Sequence, residues 1–490
     1  MIKPAEVFDR DYEWAALERF ISDQQPGATL GVVSGRRRQG KTYLLEAACQ
    51  TAGGFYFGAT EATDTESLAR ISDALTAHLL PASPFHFANW AEVVDVLLDI
   101  GGERPVPVVL DEFPYLVKAN PEIPSIIQQA LRPFGHAKSA TWTRLLLCGS
   151  ALTVMGKLLS GTAPLRGRAG LELIIPPLDY RLAAQFWGIS DPQLAVKVNA
   201  VVGGTPAYRR EFIRNDVPNG PDDFDSWVAR TVLNPETPLF REGRYLLAEE
   251  PDMRDTALYH SVLAAIADGN TSRGAIAGYV GRKDADIAHP INVLEDAGLI
   301  IREADAFRDR RSTYEIAEPL INFYHAIMRP VWSQLEHPGN AARVWRASRE
   351  RFSRAVLGPH FERICRSWTL NYADPDRLGG LPAKVGQGAI NDAAGKSVHQ
   401  VDVVVTGVAD GKKTPLLAIG EAKWGEVMGP AHIERLRLIN SLISTAGRYD
   451  TAQTKLICFS GAGFTSRLRD LAASDDSILL VDAGELYSAK

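Results

Sequence analysis

The chain of 490 residues contains only four cysteines, Cys49, Cys148, Cys365 and Cys458, which are far apart and form no CxxC pair. That scarcity excludes a disulfide scaffold and argues against a zinc site, and it fits a reducing compartment. There is no run of about 18 apolar residues, so no helix is expected to span a membrane. The opening residues, MIKPAEVFDRDYEW, lack the apolar stretch of a signal peptide, and the expected location is the cytoplasm. Basic charge is not in excess either. Against 59 Asp and Glu stand 53 Lys and Arg, a net charge of -6, so any nucleic-acid contact must come from local basic patches. Internal repeats and low-complexity tracts are also lacking. What remains is the balance of a globular protein, 46% hydrophobic and 23% charged, so disorder does not describe the whole chain. At about 150 residues per domain, the length suggests roughly three domains.

The first segment, 1–240, alternates short apolar runs with amphipathic stretches. Thr29–Ser34, Val106–Leu110 and Arg144–Cys148 are near-continuously apolar and read as buried strands, with helical patterns such as Thr42–Gln50 and Glu66–Leu79 between them. This alternation predicts an α/β fold, a parallel sheet with helices on both faces. PNGPDD at 218–223 and NPET at 234–237 read as linkers. The second segment, 241–330, predicts helices at Thr256–Asp268, Ser272–Tyr279 and Asp284–Ala297, the last expected to start only near Pro290. Gly298 stops it, and two extended pieces, Leu299–Glu303 and Ser312–Ile316, flank a tip with Arg308, Arg310 and Arg311. Three helices and a hairpin resemble a small winged-helix domain. The third segment, 331–490, is again α/β. A helix around Phe352–Leu370 precedes strands at Gln400–Thr406, Pro415–Glu421, Thr454–Ser460 and Ser477–Val481, with helices His432–Ser444 and Ser466–Ala473 between the later ones.

Gly35-Arg36-Arg37-Arg38-Gln39-Gly40-Lys41-Thr42 fits GxxxxGK[ST] between a predicted strand and a predicted helix. Gly35 and Gly40 allow a tight loop whose N–H groups face phosphates at a helix N-terminus. Lys41 is expected to reach the β- and γ-phosphates of ATP, and the Thr42 hydroxyl to ligate Mg²⁺. The second strand closes in Asp111-Glu112. Asp111 would hold Mg²⁺ through water, and Glu112 would orient or deprotonate the attacking water, although acidic pairs also occur as plain strand ends or helix caps. The third strand closes in Gly149-Ser150, where Ser150 could sense the γ-phosphate.

GRRRQGKT, VVLDEF and LLLCGS, in that order and spacing, resemble the archaeal-type ATPases of the AAA+/STAND group. Phe8, Arg10 and Glu13 are similar to that family's opening box, where the entering chain lines the adenine pocket. Here Phe8 stands one residue closer to the arginine, Asp11 replaces the usual Glu and Trp14 the usual Leu. The resemblance implies that Arg168, in Gly167-Arg168, is an arginine-finger candidate ahead of Arg166, and that Pro206, in GGTP, belongs to a turn near the base. It continues through the winged-helix region into EPLINFY at 318–324.

The arginines of the wing tip suggest contact with a DNA backbone. The third helix argues otherwise, because Asp284, Asp286, Glu295 and Asp296 would repel phosphate and no Arg or Lys lies inside it. A lid or relay against the ATPase module is the favoured reading. Arg343, Arg346, Arg349, Arg351 and Arg354 form a stronger phosphate-tracking stretch, or else a solvated helix face.

In the third segment Asp402 lies in an apolar strand, and the next strand closes in Glu421-Ala422-Lys423, with Glu421 and Lys423 on one face by strand periodicity. Two carboxylates and a carbonyl can bind Mg²⁺, with Mn²⁺ as a substitute, while Lys423 could orient water and stabilise developing phosphorane charge. Such a pair also occurs on ordinary exposed strand ends. PHFERIC, QVDVVV and GEAKW together resemble the PD-(D/E)xK, restriction-endonuclease-like fold. That likeness implies Glu362 as a further acidic metal ligand, although the stretch 379–396 lacks a Trp pair common in such domains. The leading expectation is an ATP-binding and ATP-hydrolysing oligomer. Its nucleotide state would gate a metal-dependent nuclease acting on nucleic acid, DNA ahead of RNA, as in defence against mobile elements. The alternative is a signalling ATPase that oligomerises through Arg168 and binds nucleic acid without cleaving it. A winged-helix regulator with an ATPase sensor ranks third, because of the acidic helix.

Overall fold

The computed structural model describes residues 1–133, 135, 141–248, 256–337, 339–409 and 413–488. The chain divides into two compact units. One comprises 1–177 with Thr205–Ala207, and the other holds 178–204 and the described residues from 208 onward.

In the first unit, strands β1 (Thr29–Ser34), β2 (Phe55–Gly58), β3 (Val106–Asp111), β4 (Thr143–Gly149) and β5 (Ala169–Ile174) form one parallel sheet in the order β2-β3-β4-β1-β5. Every residue of β3 and β4 is buried, as the all-apolar runs predict for a sheet covered on both faces. Alternate residues supply two separate cores. Val108, Leu110, Leu145 and Leu147 pack with Ile71, Leu75, Trp90 and Val93 on one face. Val109, Leu146 and Cys148 pack with Trp14, Leu17, Leu44 and Leu45 on the other. Pairing of Ser34 with Gly149 and of Leu110 with Leu147 brings the C-terminal ends of β1, β3 and β4 level with one another. β2, with only four residues, and β5, with Gly170 and Glu172 among its apolar residues, escape the apolar-run criterion.

In the second unit, residues 178–240 belong with the C-terminal elements. The first compact unit thus ends at Pro177, with Thr205–Ala207 added to it. The helix Pro192–Val202 explains this, since its Asn199 Oδ1 accepts a 2.8 Å hydrogen bond from His360 Nε2. Helices Thr256–Ala267, Arg273–Val280 and Asp284–Asp296 precede an antiparallel hairpin of β6 (Ile300–Ala304) and β7 (Ser312–Ile316). The third helix starts at Asp284, not near Pro290. Asp286 accepts from the Lys283 N–H at its N-terminus, and the helix carries Pro290 within it. The helix Gly358–Asn371 continues without a break from a π-turn at Ser353–Leu357, and the Ala355 carbonyl, left by the missing N–H of Pro359, accepts from Asn322 Nδ2 at 3.4 Å. A mixed sheet completes the unit. It consists of β8 (Pro382–Asp392), β9 (Ser397–Gly407), β10 (Thr414–Lys423), β11 (Tyr449–Asp450), β12 (Lys455–Ser460) and β13 (Ile478–Asp482), in the order β13-β12-β10-β9-β8 with β11 beside β10. β8–β9 and β9–β10 are antiparallel, while β10–β12 and β12–β13 are parallel. All four cysteines are buried and free. No helix among the described residues is long and apolar enough to cross a membrane.

Candidate functional site

At the C-terminal end of β1 the chain turns through Gly35 and enters the helix Lys41–Ala52 at Gly40. Gly35 has φ +153°, and a Cβ there would lie 2.5 Å from the Ile175 carbonyl oxygen. Gly40 has φ +87° and open space where a Cβ would project, as a loop approached by phosphate requires. Lys41 is buried, and its Nζ donates to the Arg36 carbonyl oxygen at 2.8 Å, inside the loop. Burial lowers its pKa, while Cys148, Glu112 and Asp111 act to keep it charged.

Asp111 ends β3 directly opposite. Its Oδ2 accepts 2.7 Å hydrogen bonds from the Thr42 hydroxyl and from the Tyr56 hydroxyl, and its Oδ1 accepts from the Glu112 N–H at 2.8 Å. Burial opposes its charge, yet donors from Cys148, Thr42, Tyr56 and Glu112 hold its carboxyl below the usual range. Glu112 adopts a left-handed backbone, φ 51°, and its carboxylate accepts from Ser150 Oγ at 3.1 and 3.2 Å. A non-glycine residue in that region costs about 1–2 kcal/mol, sustained here by the contact that aims the carboxylate. The Thr42 hydroxyl and the Asp111 carboxylate converge as a hard-oxygen pair and fit Mg²⁺.

Arg10 lies against this loop. Buried and in a left-handed conformation, it donates to the Gln39 and Pro176 carbonyls at 3.2 and 2.8 Å and pairs with Glu13 at 3.2 Å. Its guanidinium therefore braces the phosphate loop. Gln39 in turn donates to the Thr205 hydroxyl at 3.1 Å, next to Pro206. Arg168 sits elsewhere. It precedes β5, whose Ala169 pairs with Leu30 near the start of β1, so Arg168 is at the opposite end of the sheet from the loop. Tyr56 and Cys148 are the residues of this site that sequence reasoning missed. β2 was too short to register as a strand, and Cys148 read only as core.

The second acidic cluster lies on the mixed sheet. Asp402 Oδ2 accepts from the Ala422 N–H at 3.0 Å, which ties β9 to β10 beside Glu421 and Lys423. Lys423 Nζ pairs with Glu421 Oε1 at 3.1 Å. Arg435 Nη1 lies 2.8 Å from Glu421 Oε2, which accepts no well-aligned hydrogen bond, so charge alone holds that pair. Burial, then the neighbouring Asp402, pushes the Glu362 carboxyl up to about 8, and burial raises Asp402 as well. Lys423, although burial opposes its charge, is held above an ordinary lysine by Asp402 and Glu421. Glu362, Asp402, Glu421 and Lys423 thus form one electrostatic group. Their oxygens suit a hard divalent cation in type but not in arrangement. Glu421 faces two cationic side chains, and no three His, Cys, Asp or Glu side chains gather as a metal site among the described residues.

Arg366, from the helix that carries Glu362, bridges this cluster to the hairpin. It donates to both oxygens of Glu315 on β7 at 2.8 and 3.0 Å and to the Asp402 carbonyl at 3.3 Å. Of the basic stretch at 343–354, Arg349 pairs with Asp225, and Arg351 with Asp268 at 3.0 Å. Two of its five arginines are therefore committed within the protein.

The first unit has the fold of a P-loop ATPase. A Walker-type ATPase of Pyrococcus abyssi superposes with a TM-score of 0.50 at 20% identity, covering 66% of this chain and 97% of that one. The Aeropyrum pernix ORC2 protein, in ADPNP and ADP complexes, matches at TM-score 0.42 and 12% identity, over 71% of this chain and 97% of that one. In sequence, an uncharacterized protein of Methanocaldococcus jannaschii is 25% identical over 383 residues, 77% of this chain and 81% of that protein. No family model matches the chain.

Proposed function

We propose that this protein binds and hydrolyses ATP, and that its nucleotide state controls a phosphodiester-cleaving site acting on nucleic acid, with DNA as the preferred substrate. The observation that carries the first part is the linked set Thr42–Asp111–Glu112–Ser150 around the buried Lys41 ammonium. Lys41 holds the β- and γ-phosphates, and the loop N–H groups share their charge. Thr42 and Asp111 would hold Mg²⁺, which supplies neutralisation of charge developing on the phosphates. Glu112, fixed by Ser150, orients water for attack and takes its proton. The cleaving role falls to Asp402, Glu421 and Lys423, with Glu362 beside them. It is supported by Asp402 accepting the Ala422 N–H between Glu421 and Lys423, by the Lys423–Glu421 pair, and by the electrostatics these groups share with Glu362.

A second reading has a specific observation behind it. The Lys423 and Arg435 pairs to Glu421 suit a nucleic-acid platform that switches with nucleotide and does not cut. One measurement tests the ATPase that both readings share, and a second separates them. ATP turnover is expected in the wild type and absent in Lys41→Ala, which also loses nucleotide binding. Glu112→Gln keeps binding and loses turnover, by roughly 10²–10⁴-fold. Cleavage of single- and double-stranded DNA and RNA, with Mg²⁺ or Mn²⁺ and with or without ATP, is then compared with Asp402→Ala. Cleavage lost in that variant supports the nuclease. Its absence in the wild type under every condition, with turnover intact, leaves the switch.

A further inference from the structure

We propose that the cleft between the β6–β7 hairpin and the β8–β9 pair is a groove for a nucleic-acid backbone, leading a phosphodiester toward Asp402. The inference deepens the reading above and rests on its nucleic-acid part, not on cleavage.

The hairpin is stitched to the mixed sheet. Ala306 N–H donates to the Gln387 carbonyl at 3.0 Å, Gln387 Nε2 donates to Thr313 at 3.2 Å and to Glu315 at 2.9 Å, and Arg308 donates to Asn391. Between them lies a cavity of about 500 Å³ lined by Arg273, Arg302, Arg308, Arg310, Arg311 and, from β9, Gln400. Asp284 and Asp305 are its acidic lining, so five arginines face two aspartates. Asp284 pairs with Arg273, and Asp305 accepts the N–H groups of Phe307, Arg308 and Ala389. Asp309, at the hairpin tip, is paired with Arg448 at 2.8 Å. Arg310 and Arg311 are exposed and make no side-chain hydrogen bond or ion pair among the described residues. A concave surface with three net positive charges, two of them on free guanidinium groups, fits a polyanion whose charges repeat along its length.

The direction of the groove comes from strand geometry. Gln400, which lines the cavity, and Asp402 flank the buried Val401 on β9, two residues apart, and the β8–β9 register shifts just beyond, between Val401 and Val404. The Gln400 carbonyl also accepts from Arg435 Nη2 at 2.9 Å, and Arg435 holds Glu421. The groove therefore ends at the acidic cluster. This revises the ranking of the basic patches. The helix with Arg349 and Arg351 has spent those two charges on Asp225 and Asp268, while the hairpin gains a second wall from the sheet. The acidic third helix is not the reading element, so binding is indifferent to base sequence.

The test is binding in EDTA, by fluorescence anisotropy, of labelled duplex DNA, single-stranded DNA and RNA to the full chain across a salt series. Arg310→Gln/Arg311→Gln is expected to weaken binding roughly tenfold or more regardless of sequence and to reduce the slope of log affinity against log salt by about two on duplex. The three nucleic acids distinguish the source of the phosphodiester. Arg343→Gln/Arg346→Gln is the matched control, expected to bind as wild type, and thermal melts verify each fold. Unchanged affinity and slope in the hairpin variant, with the wild type binding, overturns the groove alone. A wild type that binds no nucleic acid overturns the reading beneath it as well. Retained binding without any cleavage, and loss in the hairpin variant, sustains the groove while removing the nuclease.

Discussion

Ser150 and Tyr56 do their work on other residues, which gives each a distinct signature. Ser150 restrains Glu112, and among the described residues its hydroxyl donates to no other side chain. Ser150→Ala should leave nucleotide affinity near wild type and lower turnover, by about tenfold, because Glu112 loses its aim but not its basicity. Tyr56 donates to Asp111, so Tyr56→Phe should act on the metal side, raising the Mg²⁺ concentration needed for half-maximal turnover several-fold. A metal titration of turnover in both variants checks the pair, and a shifted metal midpoint in Ser150→Ala would remove that division of labour. Lys41 and Thr42 were legible as candidates because phosphate loops need glycine and lysine at fixed spacing, and Asp111 and Glu112 because they close an apolar strand. Tyr56 and Arg435 were not, since a tyrosine in a four-residue strand and an arginine on an amphipathic helix look like ordinary packing and solvation. Arg10 was legible as a position but not as a role, because only the fold shows that its donors go to the Gln39 and Pro176 carbonyls.

At the scale of elements, charge buried for structural ends is the least legible feature. Arg144, the second residue of β4, is fully buried, and its guanidinium donates to the carbonyls of Asp23, Gln25 and Gly27, fastening the loop between the helix Asp11–Ile21 and β1. Arg144→Met strands those carbonyls and should cost on the order of 3 kcal/mol, read from the urea midpoint, with the nucleotide residues untouched. β8 was missed for a related reason. Its glycines and polar residues hide an antiparallel partner to β9, whereas β10 and β12, buried within the sheet, announce themselves as apolar runs. The helix Thr256–Ala267 meets the π-turn Tyr324–Met328 through His260 and His325, whose ring nitrogens are 3.4 Å apart. Burial, then Arg329 and Arg244, pushes His260 down to about 4, and burial, then His260 and Arg329, pushes His325 well below its ordinary value. Both rings stay neutral when folded, so the unfolded chain binds more protons below about 6.5. Stability present above that pH is lost as pH falls toward about 4. Thermal melts between pH 7 and 5 should show this decline, reduced in His260→Gln.

At the scale of the whole molecule, two compact units and one phosphate loop predict unequal responses to ligand. Mg²⁺–ATP at about 100 times its dissociation constant stabilises the unit that binds it by about 2.7 kcal/mol. In calorimetry of Glu112→Gln, which retains nucleotide, one transition should rise and a second should stay in place. Neither should move in Lys41→Ala. The parallel sheet was legible from its apolar runs, but the grouping of residues 178–240 with the C-terminal elements was not. Residues 178–240 carry no signal for the partners they choose, among them the His360 imidazole 161 residues on from Asn199.

Arg168 poses the remaining question at this scale, and geometry narrows it. Nucleotide binds at the C-terminal ends of parallel strands, whereas Arg168 precedes β5 level with Leu30, four residues or about 13 Å below the end of β1. A residue there lies at the far end of the sheet from its own loop, so a part in hydrolysis would have to be played on a neighbouring copy. Turnover per chain should then rise with protein concentration. Arg168→Ala should bind ATP normally but lose turnover by about 10³-fold, the scale of a finger supplied in trans. Mixing settles the point, because Lys41→Ala retains Arg168 while Arg168→Ala retains the loop. Each is inactive alone, and together they should recover part of the wild-type rate. Concentration-independent turnover with Arg168→Ala at the wild-type rate would leave Arg168 an ordinary surface residue and the assembly without a catalytic reason.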